Sequence, residues 1–181
     1  LREFIGRKTL LTGEVGTGKT KFLARFIEYL LESGYEKEVT LIDMAPNRFQ
    51  GVGGSVKEYL KDLGGIRYLR PPIVYAPRLM GRDALEVSRY CEENRKNIEP
   101  LLDTYILNPT NILLINDLTI YLHTGDLEKM LKAIELSKTF MATAYSGVKL
   151  RDDKGSGISE REKTVTDKLK EKMDLVIHFY E

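Results

Sequence analysis

Short apolar runs alternate with longer stretches of helical periodicity along the whole sequence. The runs fall near residues 8–12, 38–43, 73–75, 112–116, 139–144 and 174–180, with a weaker one at 66–69. Between them, apolar side chains recur every three to four residues near 19–33, 55–63, 83–107, 126–137 and 160–173. The clearest such stripe is Phe22, Leu23, Phe26, Ile27, Leu30 and Leu31, and Gly34 follows as its C-terminal cap. Strand-like runs separated by helices are the mark of βαβ units. The pattern therefore predicts an α/β fold, a three-layer α/β/α sandwich around a mostly parallel central sheet. Asp83 with Glu86, and Ser159 with Glu162, have capping-box spacing, while Pro100 predicts a kink or a restart in the third helix. Residues 46–54 and 146–159 combine glycine with charge and lack periodicity, so they are expected to be irregular, mobile loops.

Composition narrows the picture only a little. A length of 181 residues suits one domain over 1–181, large enough for a sheet covered on both faces. With 28 Lys and Arg against 27 Asp and Glu, the net charge of +1 gives no general field for a polyanion, so DNA binding would need a local surface. The ten tyrosines are scattered and form no stacking platform for bases. A single cysteine, Cys91, excludes an internal disulfide and falls in a helical pattern that suits packing. No secretory signal or apolar span of membrane length is evident, so a cytoplasmic protein without a membrane partner is expected. His123 and His178 have no companions at ligand spacing, and a zinc site is not expected.

The chemistry is concentrated after the first apolar run. Gly13-Glu14-Val15-Gly16-Thr17-Gly18-Lys19-Thr20 fits G-x-x-x-x-G-K-[ST], and Lys21 continues into the first helix. Glycines let such a loop curl until its N–H groups point at phosphate oxygens, and the positive end of the following helix favours the same charge. Lys19 is expected to reach the β- and γ-phosphates and Thr20 to ligate Mg²⁺. The segment 13–21 thus predicts a site for a nucleoside triphosphate with Mg²⁺. Farther on, Asn111-Ile112-Leu113-Leu114-Ile115-Asn116-Asp117 reads as a strand buried on both faces and ending in a carboxylate. Asp117 is expected beside Thr20 on the metal side, with Asn116 as the competing polar candidate. Gln50-Gly51-Val52-Gly53-Gly54 lacks a lysine and is read as a flexible turn near the nucleotide edge.

This order of elements resembles the RecA-like P-loop ATPases, including single-domain relatives of the archaeal recombinases and of the circadian-clock ATPase KaiC. Leu41-Ile42-Asp43-Met44-Ala45 occupies the place where that family has Ile-Asp followed closely by a catalytic glutamate, and here the match stops at Ala45. Leu113 to Thr119 resembles the family's Walker B strand and turn, and Phe140 to Ser146 the next strand, whose polar end, Thr143 or Ser146, would sense the γ-phosphate. The resemblance implies a Mg²⁺-dependent ATP-binding protein and a slow or partner-activated ATPase, with Lys19, Asp43 and Asp117 as the catalytic candidates. Positive charge for the reaction is expected from Arg48, Arg78, Arg82, Arg151 or Arg161, or from an arginine supplied by another copy or a protein partner. Two alternatives stay open. One is a small-molecule kinase with its acceptor site between residues 46 and 82 and a lid at 151–163. The other is a non-hydrolysing switch or recombinase accessory that binds DNA or a partner when loaded.

Overall fold

The computed structural model describes all residues, 1–181. Six strands form one sheet: β1 (Lys8–Gly13), β2 (Val39–Asp43), β3 (Arg67–Leu69), β4 (Ile112–Asn116), β5 (Thr139–Tyr145) and β6 (Leu175–Phe179). Their order is β3-β2-β4-β5-β1-β6, and every ladder is parallel. All strands therefore end at one edge. Register brings Gly13 opposite Tyr145 and Phe179, and Asp43 opposite Asn116. The carboxyl edge of such a sheet is where ligands bind, because the loops there are free to vary while the strands hold their ends in place.

The helices are α1 (Lys19–Glu32), α2 (Pro77–Met80), α3 (Ala84–Leu107), α4 (Thr119–Leu122), α5 (Leu127–Leu136) and α6 (Ile158–Lys170). Leu23, Phe26, Ile27 and Leu30 of α1 close one face of the sheet together with Leu11, Leu41 and Leu114. Residues of α3, α5 and α6, among them Ile98, Met130 and Leu169, close the other face over Leu10, Leu113 and Phe140. The central strands are buried along their whole length, as two-sided coverage requires. The predicted α/β sandwich is the fold observed, and its sheet is wholly parallel.

Several elements differ from the pattern. Residues 73–75 form no strand; β3 lies at Arg67–Leu69, over the weaker run. Pro71 and Pro72 carry no N–H to donate to a ladder, and the chain beyond them is tied instead to α3, where Asn94 exchanges two hydrogen bonds with the Tyr75 backbone at 2.8 and 2.9 Å. The helix expected over 55–63 shrinks to a 3₁₀ turn at Val56–Glu58. Glycine pairs at 53–54 and 64–65 leave too short a stretch to offset the cost of helix nucleation. Helix α3 runs unbroken through Pro100, which lies on the exposed face where water can satisfy the carbonyl one turn back. Asp83 caps α3 as predicted, accepting from the Glu86 N–H at 2.8 Å. Ser159 does not cap α6: the helix starts after Gly157, and Asp153 accepts the Ser159 N–H at 3.1 Å. Glu162 is thereby released to point inward.

Candidate functional site: the phosphate loop and its cavity

The loop from Gly13 to Thr20 leaves β1 and enters α1 at the carboxyl edge. Gly16 and Gly18 have φ of 73° and 96°, a region that disfavours any side chain. Gly13 is required for a second reason, since a Cβ there would lie 2.5 Å from the Phe179 carbonyl oxygen. Helix α1 has no side-chain cap and no acidic residue in its first turn, so the positive helix end faces the loop without a competing anion from its own first turn. Lys19 folds back over the loop, its Nζ donating to the carbonyls of Gly13 at 2.8 Å and Glu14 at 2.5 Å. Burial lowers the Lys19 pKa, with Asp117 and Glu14 opposing the shift. Val15 to Lys21 all line one cavity of about 300 Å³.

Glu14 faces elsewhere. Its carboxylate accepts the N–H groups of Val15 at 2.9 Å, Val148 at 2.8 Å and Lys149 at 3.0 Å. Burial alone would raise its pKa, but these donors outweigh burial and hold it below the usual carboxylate range. The phosphate loop is thus fastened to the segment after β5, and any part Glu14 plays toward a ligand comes from its backbone.

Asp43 and Asn116, opposite each other in the ladder, start a buried polar network. The Asp43 carboxylate accepts from Ser55 Oγ at 2.6 Å, Tyr68 Oη at 2.8 Å, the Val56 N–H at 3.0 Å and Asn116 Nδ2 at 2.9 Å, and Arg70 lies 3.3 Å away. Its capacity is filled by protein. Asn116 Oδ1 in turn accepts from Thr20 Oγ1 at 3.1 Å and Thr143 Oγ1 at 3.0 Å. The residue beside Thr20 is therefore Asn116, the competing candidate of the sequence reading. Asp117 stands one position on, in a left-handed turn with φ of 59°, where its N–H donates to Thr143 Oγ1 at 2.7 Å. Asp117 lines the cavity. Burial raises its pKa, while Lys19 and His123 pull the other way. Thr143 joins this network; Ser146 lies beyond it, its N–H donating to the Gly13 carbonyl at 3.0 Å.

The far wall holds three residues that sequence reasoning did not group. Glu162 of α6 receives both terminal nitrogens of Arg78, each at 3.0 Å, and His123 Nε2 approaches the same carboxylate at 2.6 Å. All three are almost fully buried, and all line the cavity. His123 Nδ1 has no hydrogen-bond partner. A signal existed in the sequence: Glu162 interrupts the inward stripe of Ile158, Val165 and Leu169 at helical spacing, a place where a carboxylate is costly unless paired. Of the remaining arginine candidates, Arg48 also lines the cavity but pairs with Glu58 at an exposed position. Cys91 is buried, and burial pushes its thiol up to about 12 against the pull of Arg78, as befits a packing residue.

No cluster of three His, Cys, Asp or Glu side chains is present that could hold a metal unaided. The Thr20 hydroxyl, the Asn116 amide oxygen and the Asp117 carboxylate are hard oxygen donors, a set that fits Mg²⁺ held jointly with phosphate oxygens. No helix is long and apolar enough to cross a membrane.

No protein-family model matches the sequence, and no curated protein matches it. Among solved structures the fold is similar to that of the flagellar accessory protein FlaH from Methanocaldococcus jannaschii, with a TM-score of 0.51 and 11% sequence identity. The likeness covers 96% of this chain and 71% of that one. At such identity it speaks for the fold alone.

Proposed function

We propose that the chain binds Mg²⁺ and ATP at the Gly13–Thr20 loop and hydrolyses ATP slowly or on activation by a partner. The observation that carries this reading is the loop itself: positive-φ glycines, a buried lysine and an uncapped helix start, all opening on one cavity. Lys19 would leave the carbonyls of Gly13 and Glu14 for phosphate oxygens. Thr20 and Asp117 would serve the metal, with Asn116 between them and Thr143 as the polar sensor at the end of β5. Asp43, filled by its partners, would act through Asn116, and Asp117 is the carboxylate best placed to orient a nucleophile. A bound Mg²⁺ would supply charge neutralisation for the phosphates.

Lys19→Ala tests the assignment by calorimetry with Mg-ATP. Loss of measurable binding in a folded variant is expected, and wild-type affinity would sink the proposal.

A phosphotransferase is the second reading, favoured by one observation. The cavity onto which the Gly13–Thr20 loop opens is also lined by Pro46, Gly51–Gly54 and Ala76–Leu79, the stretch where an acceptor would sit. Inorganic phosphate released in water points to hydrolysis; phosphate incorporated into an added alcohol points to transfer.

A further inference from the structure

Arg78 has five N–H donors, and the protein uses three of them. One NH1 hydrogen goes to Ser159 Oγ at 2.9 Å, while NH1 and NH2 together grip the two oxygens of Glu162 at 3.0 Å each. The two donors left over are Nε–H and the second NH2 hydrogen. In a planar guanidinium these two point the same way, forming a side-on fork matched to two oxygens of a tetrahedral anion. The fork is held firmly. Glu162 fixes the end of the group, the guanidinium lies 5.3 Å over the Tyr145 ring, and Lys154 Nζ donates to the Arg78 carbonyl at 3.0 Å. Tyr145 is the strand residue paired with Gly13, so this stack stands directly beside the start of the phosphate loop. Arg78 and Lys19 both line the cavity, one on α2 and the other on α1.

We propose that the side-on edge of Arg78 is a subsite for the terminal phosphoryl group of a nucleoside triphosphate, an arginine supplied from within the chain. This rests on the nucleotide reading above and adds to it the residue that distinguishes a triphosphate from a diphosphate. Glu162 is a positioning residue here: it keeps the guanidinium aimed and compensates the charge when no anion is near. His123, bonded to the same carboxylate, limits its freedom to turn away. With Arg78 in this role, the positive charge that the sequence alone could assign to any of five arginines, or to a partner, has a source in the chain's own fold.

The test compares affinities for Mg-ADP and for Mg²⁺ with the non-hydrolysable β,γ-imido analogue of ATP, measured by calorimetry on the full chain. The wild type is expected to prefer the triphosphate analogue by about tenfold or more, the worth of one bidentate charge-assisted pair. Arg78→Lys keeps a cation for Glu162 but removes the fork, and should abolish most of that preference while leaving Mg-ADP within about twofold, since one tenfold step corresponds to a full charge-assisted contact. Should Arg78→Lys fail to fold, the double variant Arg78→Gln with Glu162→Gln removes both charges and must give the same loss. An unchanged preference, equal weakening of both nucleotides, or a wild type that binds both alike would overturn the subsite and leave the phosphate loop assignment standing. A wild type that binds neither nucleotide overturns both.

Discussion

Asn116 and Asp117 are adjacent in the chain and differ in every physical respect. Asn116 is a fully buried junction whose amide both donates, to Asp43 and Gly54, and accepts, from Thr20 and Thr143. Asp117 has turned off the strand into the cavity. Four apolar residues followed by two polar ones announced that something polar would emerge at this edge; which of the two would face Thr20 depends on where the strand stops, a one-residue matter that periodicity does not resolve. Asn116→Asp would bring the motif closer to a Walker B strand, yet it should not activate the site. The new carboxylate would face that of Asp43 across a 2.9 Å contact and lose the donor, so a loss of about 2–4 kcal/mol in urea unfolding is expected at neutral pH. The deficit should shrink on acidification, when protonation of one carboxyl restores a donor. Asp117 follows the same sense with pH, as a carboxylate already present. Burial raises its folded pKa, so its contribution to stability is fully present below the ordinary aspartate value near about 4 and is lost as pH rises through the raised value. Asp117→Asn should therefore raise the melting temperature at pH 7 by about 2–4 °C, what roughly 1 kcal/mol yields at this size, while slowing any turnover. A lower melting temperature at pH 7 would mean that its attraction to Lys19 and His123 outweighs burial.

Among the elements, those with long stripes and clear caps lie where the pattern put them, and those in the short-period middle do not. Helix α1 and strands β1, β2, β4 and β5 needed only local information. The stretch from 55 to 82 depended on partners distant in sequence: Asp43 holds Ser55 and Val56, and Asn94 holds Tyr75, so tertiary hydrogen bonds decided its form over propensity. The link between the phosphate loop and the segment after β5 is of the same kind. Gly147 packs so close that a Cβ would meet Glu14 Oε2 at 2.2 Å, and no sequence rule marks that glycine. Gly147→Ala should expel the Glu14 carboxylate, free the Val148 and Lys149 amides, and weaken Mg-ATP by about tenfold with the fold retained, the cost of roughly 1.4 kcal/mol of lost loop order. Because the folded pKa of Glu14 is depressed, its contribution is present above the ordinary glutamate value near about 4.3 and fades as pH falls through the lowered one. The protection of the Val148 and Lys149 amides, taken as exchange relative to the intrinsic rate at each pH, should fall over that acid range in the wild type, and should already be low at neutral pH in Gly147→Ala.

For the molecule as a whole, alternation predicted parallel strands without giving their order. Which strands become neighbours follows from how each crossover packs its helix, a property of the assembled sheet. The observed order sets β5 between β1 and β4, and so brings the phosphate loop, Thr143, Asn116 and Asp117 to one edge from segments separated by about a hundred residues. The cavity is closed by α2 and α6, whose link through Arg78 and Glu162 crosses 84 residues of sequence. A ligand seated there would touch nearly every layer of the fold at once, and its binding free energy would appear as stability of the entire chain. At about 100 times its dissociation constant a ligand that binds only the folded form adds roughly 2.7 kcal/mol, which for a chain of this size is about 5–10 °C in melting temperature. Mg-ATP should produce that shift in the wild type, chelation of Mg²⁺ should remove most of it, and Lys19→Ala should show none with or without the metal. Equal shifts in wild type and Lys19→Ala would mean that the nucleotide does not use the Lys19 ammonium, and the assignment of the Gly13–Thr20 loop would fall with it.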